Sequence, residues 1–212
     1  MSRAGLLALA GHVAPAREAA ATALGLSEEL GGGISSILAM WTCGEVELSA
    51  GDLGAAERFL RDAYEALASM GERAFRSTLA TSLGLAIHRL GADDEAYELS
   101  LISEELGSEE DLATQYYWRI LRARVLARRG ELEQAEELSR EAIRLVDLSD
   151  CLEHQADIRA GRAEVLIEAG RSDEAVRCLR DALALAGRKQ AVLLVGNIEE
   201  RLRDLEGKSV ES

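Results

Sequence analysis

Histidine and cysteine are the residue types in this chain best suited to metal binding or nucleophilic chemistry. The three histidines lie far apart in the chain: His12, His88 and His154. Only His154 has a cysteine close by, Cys151, three residues earlier and on the same face of a helix. A zinc site needs further ligands, and a hydrolytic nucleophile needs a base and an orienting acid within reach. Because no spacing supplies these groups, we expect no metal site and no cofactor, and we predict that the chain is not an enzyme.

Arginine is the other candidate, because its planar guanidinium group binds carboxylates and phosphates. Five arginines crowd one predicted helix: Arg119, Arg122, Arg124, Arg128 and Arg129. Several glutamates follow within residues 131–137, so the favoured interpretation is charge pairing at the surface rather than an anion site. The formal net charge of −14 would repel a phosphate backbone, so we expect no nucleic-acid partner.

The composition indicates a folded, helical protein. Apolar residues make up 48% of the 212 residues, aromatic residues 4%, and there is one proline. No run of about 18 apolar residues is present, so we predict no membrane span. The three cysteines include no CxxC pair, which suits a reducing compartment, and we expect a cytoplasmic protein.

A regularly spaced glycine organises the whole chain. These anchor glycines are Gly11, Gly51, Gly91, Gly130 and Gly170, at intervals of 40, 40, 39 and 40 residues. Counting from each of them, position −7 is always alanine or glycine and position +5 is always alanine. Such small residues let two helices approach closely, and the glycine between them can take a positive φ and end the first helix. Each unit is therefore predicted to be an antiparallel helical hairpin that must stack on its neighbours to bury its apolar face.

The predicted fold is all-α, an α-solenoid of stacked helical hairpins. The first helices are predicted at 34–50, 73–90, 112–129 and 152–169, and the second helices at 14–28, 54–70, 93–106, 133–147 and 173–186. We predict one superhelical domain over residues 1–206, with units at 1–32, 33–72, 73–110, 111–150 and 151–189, a capping helix at 190–206, and a flexible tail at 207–212. Asp93 and Ser172 are candidate N-caps of second helices.

The pattern of small residues around each anchor glycine resembles the tetratricopeptide (TPR) repeat over nearly the whole chain. The period near 40 exceeds the usual TPR period of about 34, and the tryptophan expected at position −11 is absent. These departures resemble the longer-helix TPR variants of bacterial regulators. Segments such as residues 118–131 resemble the C-terminal TPR region of bacterial multidomain signalling proteins that carry a nucleotide cyclase or an ATPase.

The resemblance implies a non-catalytic protein–protein interaction module, as the scaffold or sensor part of a bacterial signalling or transcription regulator. The alternative is a regulatory sensor that binds a small ligand and acts on separate effector domains. The chaperone-tail clamp of some TPR proteins requires lysine and asparagine at positions −10 and −6. Trp41 and Glu45 occupy those positions here, so a chaperone tail is not the expected partner.

The first helices of TPR folds line a concave groove. The resemblance implies that five positions of each first helix face such a groove here. The candidate peptide-binding residues are Trp41, Glu45, Thr81, His88, Arg89, Tyr117, Arg124, Arg128, Glu164 and Glu168. Together they predict an aromatic end, a basic middle and an acidic far end, which suits a peptide with an aromatic or acidic segment. The alternative is that the longer repeats shift the helix faces and place Trp41 and Tyr117 in the core.

The N-terminal edge is a second candidate surface. Only ten residues precede Gly11, which is too few for a full first helix. We expect either that the chain is a piece of a larger protein, which is the favoured interpretation, or that a partner covers Leu6, Leu7 and Leu9. A homodimer through this edge would follow from the second alternative.

Overall fold

The computed structural model describes residues 2–210, and within them the chain forms α-helices joined by short turns. The helices belong to two compact units, residues 1–108 and 109–212. In unit 1 the helices are α1 (Arg3–Leu9), α2 (Val13–Glu29), α3 (Ile34–Ala50), α4 (Leu53–Ser69), α5 (Ala74–Arg89) and α6 (Asp93–Leu106). In unit 2 they are α7 (Leu112–Arg128), α8 (Leu132–Val146), α9 (Leu152–Glu168), α10 (Ser172–Lys189) and α11 (Val192–Val210).

Consecutive helices pack in pairs, as the repeat pattern predicts. The pairs α3 and α4, α5 and α6, α7 and α8, and α9 and α10 form helical hairpins. Within each unit one hairpin also packs on the next, through α2 with α3, α4 with α5, and α8 with α9. The prediction of an all-α fold of stacked hairpins is confirmed, and the predicted bounds of α2 to α9 differ from the observed ones by at most one residue.

The anchor glycines end the first helices in the left-handed conformation that the sequence requires of them. Gly51, for example, has φ 83°, and the other four lie between 71° and 90°. In this conformation the amide of Gly51 bonds the carbonyl of Leu48, and the next amide, of Asp52, bonds that of Glu47. These bonds satisfy carbonyls that the helix end would otherwise leave without a partner.

Small residues at position −7 allow the two helices of a hairpin to touch. A Cβ atom added to Gly44 on α3 would lie 2.6 Å from Leu60 Cγ on α4, so this contact excludes any larger residue. The alanines at position +5 are fully buried in all five repeats.

A buried acid replaces the apolar residue that other repeats carry at position −4. Glu47 on α3 has a side chain only 12% exposed and receives the guanidinium of Arg17 from α2. Arg17 Nε donates to Glu47 Oε1 over 2.9 Å. The ion pair compensates the burial of the carboxylate and joins the two helices.

The prediction of Asp93 and Ser172 as N-caps is wrong. Both are the first helical residues, and the N-caps are Ala92 and Arg171, without a side-chain cap hydrogen bond. The N-cap is the residue directly after the anchor glycine, which is aspartate only at Asp52, whose Oδ1 accepts from the Ala55 amide over 3.0 Å. Asp93 lies one residue too late and binds His88 instead.

The end of unit 2 extends beyond the predicted capping helix. Helix α11 packs on α10, has its Ile198 and Leu202 side chains buried, and continues to Val210. The last two residues of the predicted tail, 211 and 212, lie outside the described residues. Among the helices that the structure describes, none is both long and apolar enough to cross a membrane.

Candidate functional site

The first helices of unit 2 lie close together because a glycine stands at their contact. A Cβ atom added to Gly161 on α9 would lie 2.7 Å from Ile120 Cγ1 on α7. Ile120 and Ala160 are both buried at this contact. The close approach places polar side chains of α7 and α9 within hydrogen-bonding distance beside it.

A chain of ion pairs joins the first helices α7 and α9 to the last helix of unit 2, α11. Arg124 Nε on α7 donates to Glu164 Oε2 on α9 over 2.5 Å. On α11, Arg201 Nη1 lies 3.1 Å from Glu164 Oε1, and its Nη2 donates to the Ala160 carbonyl over 3.0 Å. The three charged side chains are 10%, 28% and 22% exposed, so they are held in place yet partly open to solvent.

A second acid, Asp157 on α9, lies within the electrostatic reach of these groups. Burial raises the pKa of its carboxyl, and the charges of Arg124, His154 and Arg201 act in the opposite direction. The carboxyl is therefore more readily protonated than an exposed aspartate, and it can act as a hydrogen-bond donor or acceptor.

Aromatic rings stand beside this acid. Tyr116 Oη and His154 Nδ1 are 2.6 Å apart, and the Tyr117 ring centroid lies 5.3 Å from that of His154 in an edge-to-face arrangement. Burial lowers the pKa of His154 and raises the pKa of Tyr116 to about 12. Both groups are therefore neutral near pH 7. Tyr116 is buried, whereas Tyr117 is half-buried.

We call the set of Tyr117, Arg124, Asp157, Glu164 and Arg201 the first-helix face of unit 2. It contains two guanidinium groups, two carboxyl groups and one aromatic ring, all partly open to solvent. Such a surface can bind a chain segment by hydrogen bonds and stacking. Among the described residues, no group of three or more His, Cys, Asp or Glu side chains could hold a metal ion.

The structure brings together only some of the residues predicted from the repeat positions. Tyr117, Arg124 and Glu164 belong to the first-helix face, whereas Arg128 and Glu168 are exposed at the ends of their helices. Tyr117 is half-buried and packs against the core cluster that contains Tyr116 and Ile158.

In unit 1 the predicted residues differ in burial. Trp41 is half-buried, and its Nε1 donates to Glu45 Oε1 on the same helix over 2.9 Å. Arg89 is exposed. Thr81 and His88 are only 5% and 1% exposed, so the expectation that they face a ligand is not met by their positions. Helix α5, which carries both residues, packs on α4 and α6, and the His88 imidazole lies 2.6 Å from Asp93 Oδ1 of α6.

Sequence reasoning missed Arg201 and gave His154 no role. His154 lies one turn before Asp157, and only its tertiary contact with two tyrosines reveals it. Arg201 lies on the last helix, which has no anchor glycine from which a repeat position can be counted. A cation about one repeat after Glu164 is the only sequence signal that could have indicated it.

Two arginines of α7 pair with glutamates on other helices. Arg119 Nε bonds Glu141 on α8 over 3.2 Å, and Arg124 bonds Glu164 on α9. The guanidinium groups of Arg119 and Arg122 lie 4.1 and 4.5 Å from the centre of the buried Trp118 ring. These contacts give part of the cluster a structural role.

The N-terminal edge exposes one of its three leucines. Leu6 is 52% exposed, whereas Leu7 packs against the core cluster of α1 to α3 and Leu9 is half-buried. Helix α1, which carries the three leucines, packs on both α2 and α3.

No family model and no curated protein matches this sequence. Solved structures do match its fold. A variant of a kinesin light chain-like protein with nearly identical TPR-like repeats, from Podosopora anserina, is 18% identical, with a TM-score of 0.58 over 88% of this chain and 92% of that one. The fold is TPR-like. BtubC (BKLC) from P. vanneervenii is 15% identical, with a TM-score of 0.57 over 92% of this chain and 85% of that one.

Proposed function

We propose that this TPR-like chain is a non-catalytic interaction module that binds a peptide segment of a partner protein on the first-helix face of unit 2. The observation that carries the proposal is the ion-pair chain of Arg124, Glu164 and Arg201, which fixes polar groups along three helices before any ligand arrives. Side chains already held in place lose less entropy when a partner binds.

The chemistry of the face favours a segment with both an aromatic or apolar side chain and polar groups. Tyr117 offers a partly exposed ring for stacking. The guanidinium groups offer donors for backbone carbonyls or carboxylates, and Asp157 can accept from, or when protonated donate to, the peptide backbone. We infer a cytoplasmic role as the scaffold or sensor part of a bacterial signalling or transcription regulator, which rests on the sequence resemblance.

The test is selection of binding peptides from a displayed random library with the whole chain as bait, followed by titration of the best peptide. Arg201→Gln and Tyr117→Ala should weaken its binding by about tenfold or more, since each removes a central contact. Arg203→Gln is the matched control, because Arg203 is exposed on the same helix and should leave binding unchanged.

Equal loss in the Arg201 and Arg203 variants, or peptides that bind without regard to Tyr117, would contradict the proposal. Thermal unfolding of each variant separates lost binding from lost folding. Native mass spectrometry of the purified chain tests the alternative of a small-ligand sensor. A bound molecule of fixed mass that is lost in the Arg201→Gln or Tyr117→Ala variant would replace the peptide as the ligand of the first-helix face.

A further inference from the structure

A cavity of about 650 Å³ lies in unit 2 between α8, α9 and α10. None of its lining residues belongs to the first-helix face. The volume falls within the range of roughly 300–1,000 Å³ that is typical of small-ligand sites. Helix α9 packs on both α8 and α10, so it forms the centre of the cavity wall.

The charge of the lining differs in sign from that of the whole chain. Four of the lining residues are Arg140, Arg144, Arg159 and Arg162, and two are acids, Glu137 and Asp181. The chain as a whole has a net charge of −14. A local excess of arginine on such an acidic protein makes the potential at the open cavity more positive than on the rest of the surface.

Three of these arginines are partly compensated by carboxylates outside the lining. Arg140 lies 3.1 Å from Glu136 and Arg144 lies 3.4 Å from Glu141, and both arginines are mostly exposed. Arg159 Nη2 binds Asp147 over 2.7 Å. Each of them retains donors that can turn toward an anion, because a guanidinium group has five N–H bonds.

Arg162 is the exception, and it lies on α9 in the middle of the cavity wall. Its Nη1 donates to Ser139 Oγ over 3.1 Å, and no carboxylate of the described residues lies within ion-pair distance of it. Ser139 is fully buried and donates to the Glu136 carbonyl, so it holds Arg162 in a fixed direction. An anion from outside the chain would therefore add a charge-assisted hydrogen bond to this half-buried guanidinium group.

Cys178 on α10 also lines the cavity. Burial raises the pKa of its thiol, while Arg162 and Arg159 act in the opposite direction, which indicates that both guanidinium groups lie near the sulfur. Ile143 adds an apolar side chain to the wall. The cavity thus combines fixed cations with a small apolar surface.

We propose that this arginine-lined cavity binds a small anionic ligand that carries two or more carboxylate or phosphate groups. Planar guanidinium groups bind either kind of group with paired hydrogen bonds. A ligand with a single charge would contact only part of the arginine cluster, and the cavity is larger than one such group requires. This site is independent of peptide binding on the first-helix face.

The test is isothermal titration of the full chain with citrate as the tricarboxylate, pyrophosphate as the phosphate, and a hexaglutamate peptide as the extended acid. We expect saturable binding of citrate or pyrophosphate with a Kd of about 1 mM or tighter, weakened by added salt. Either result supports the proposal and identifies the chemical group. Binding of hexaglutamate alone would overturn it in favour of a peptide partner, and no saturable binding would overturn it outright.

Variants locate the site. Arg162→Gln should weaken binding by about tenfold or more, because it removes a charge-assisted hydrogen bond. Arg180→Gln is the matched control: Arg180 lies on α10, is exposed, binds Glu206 over 2.9 Å and does not line the cavity. Equal weakening in both variants would mean a diffuse charge effect and would overturn the proposal.

A second measurement on the unaltered chain keeps the test valid if Arg162→Gln fails to fold. The bound ligand should slow alkylation of Cys178 by iodoacetamide, as read by peptide mass spectrometry, and leave Cys151 unaffected, because Cys151 does not line the cavity. Unchanged alkylation of Cys178 at a saturating ligand concentration would overturn the placement of the site.

Discussion

The close packing of α3 on α4 at the contact between Gly44 and Leu60 can be tested by adding one methyl group at Gly44. In the variant Gly44→Ala, the new Cβ would lie 2.6 Å from Leu60 Cγ, 2.7 Å from its Cδ2 and 3.3 Å from its backbone nitrogen. Leu60 is fully buried, so its side chain has no solvent into which it can move. The two helices must therefore separate or Leu60 must adopt a strained rotamer.

Two effects of opposite sign decide the magnitude. Overpacking a core costs about 1–3 kcal/mol, and alanine is better than glycine in a helix by about 1 kcal/mol. Because the new atom approaches the Leu60 backbone as well as its side chain, we take the upper part of the first range. Gly44→Ala should lower the free energy of unfolding by about 1–2 kcal/mol.

The assay is urea unfolding followed by circular dichroism, with Gly25→Ala as the matched control. Gly25 lies inside α2, and a Cβ there meets nothing within 4 Å, so this substitution should stabilise the chain by up to about 1 kcal/mol. In a Leu60→Ala background, Gly44→Ala should destabilise much less, because the side-chain atoms at 2.6 and 2.7 Å are removed while the backbone nitrogen at 3.3 Å remains. If Gly44→Ala and Gly25→Ala change stability equally, the close approach of α3 and α4 is wrong.

Three further predictions address the core, the aromatic cluster and the N-terminal edge. Ala135→Leu, at a fully buried position, should cost about 1–3 kcal/mol, and an unchanged melting temperature would contradict the repeat register. Burial lowers the pKa of His154, so the folded chain favours its neutral form, and the free energy of unfolding should fall as the pH drops below 6.5. NMR titration of the His154 ring should give a pKa under 6.5, and a higher pKa would refute this prediction. If the N-terminal edge forms a homodimer, Leu6→Gln should abolish it in light scattering, whereas Leu90→Gln, at a similarly exposed leucine, should not; a monomer at every concentration rules the dimer out.

The repeat pattern predicted the helices well because its cause is local. A glycine that must take a positive φ ends a helix wherever it stands, so Gly51 and its equivalents set the bounds of the hairpins. The small residues at positions −7 and +5 are constrained by a contact inside the same hairpin, as Gly44 and Leu60 show. Sequence alone contains both pieces of information.

The site residues were predicted less well because their environment depends on the neighbouring repeat. Thr81 and His88 share repeat positions with groove residues of TPR proteins, yet neighbouring helices bury them here. Arg201 has no repeat position at all, and its partner Glu164 could be found only from the packing of α11 beside α9. A helical period fixes which face of a helix a residue lies on, but not what covers that face.

The difference between the two units follows from one repeat position. Position −6 holds Arg124 and Glu164 in successive repeats of unit 2, so opposite charges meet where the first helices adjoin. In unit 1 the same position holds Glu45 and Leu85, which cannot pair with each other, and Glu45 accepts from Trp41 on its own helix. In unit 2 this position therefore supplies an ion pair between neighbouring first helices. The first-helix face of unit 2 is accordingly the surface where substitutions should affect a partner first.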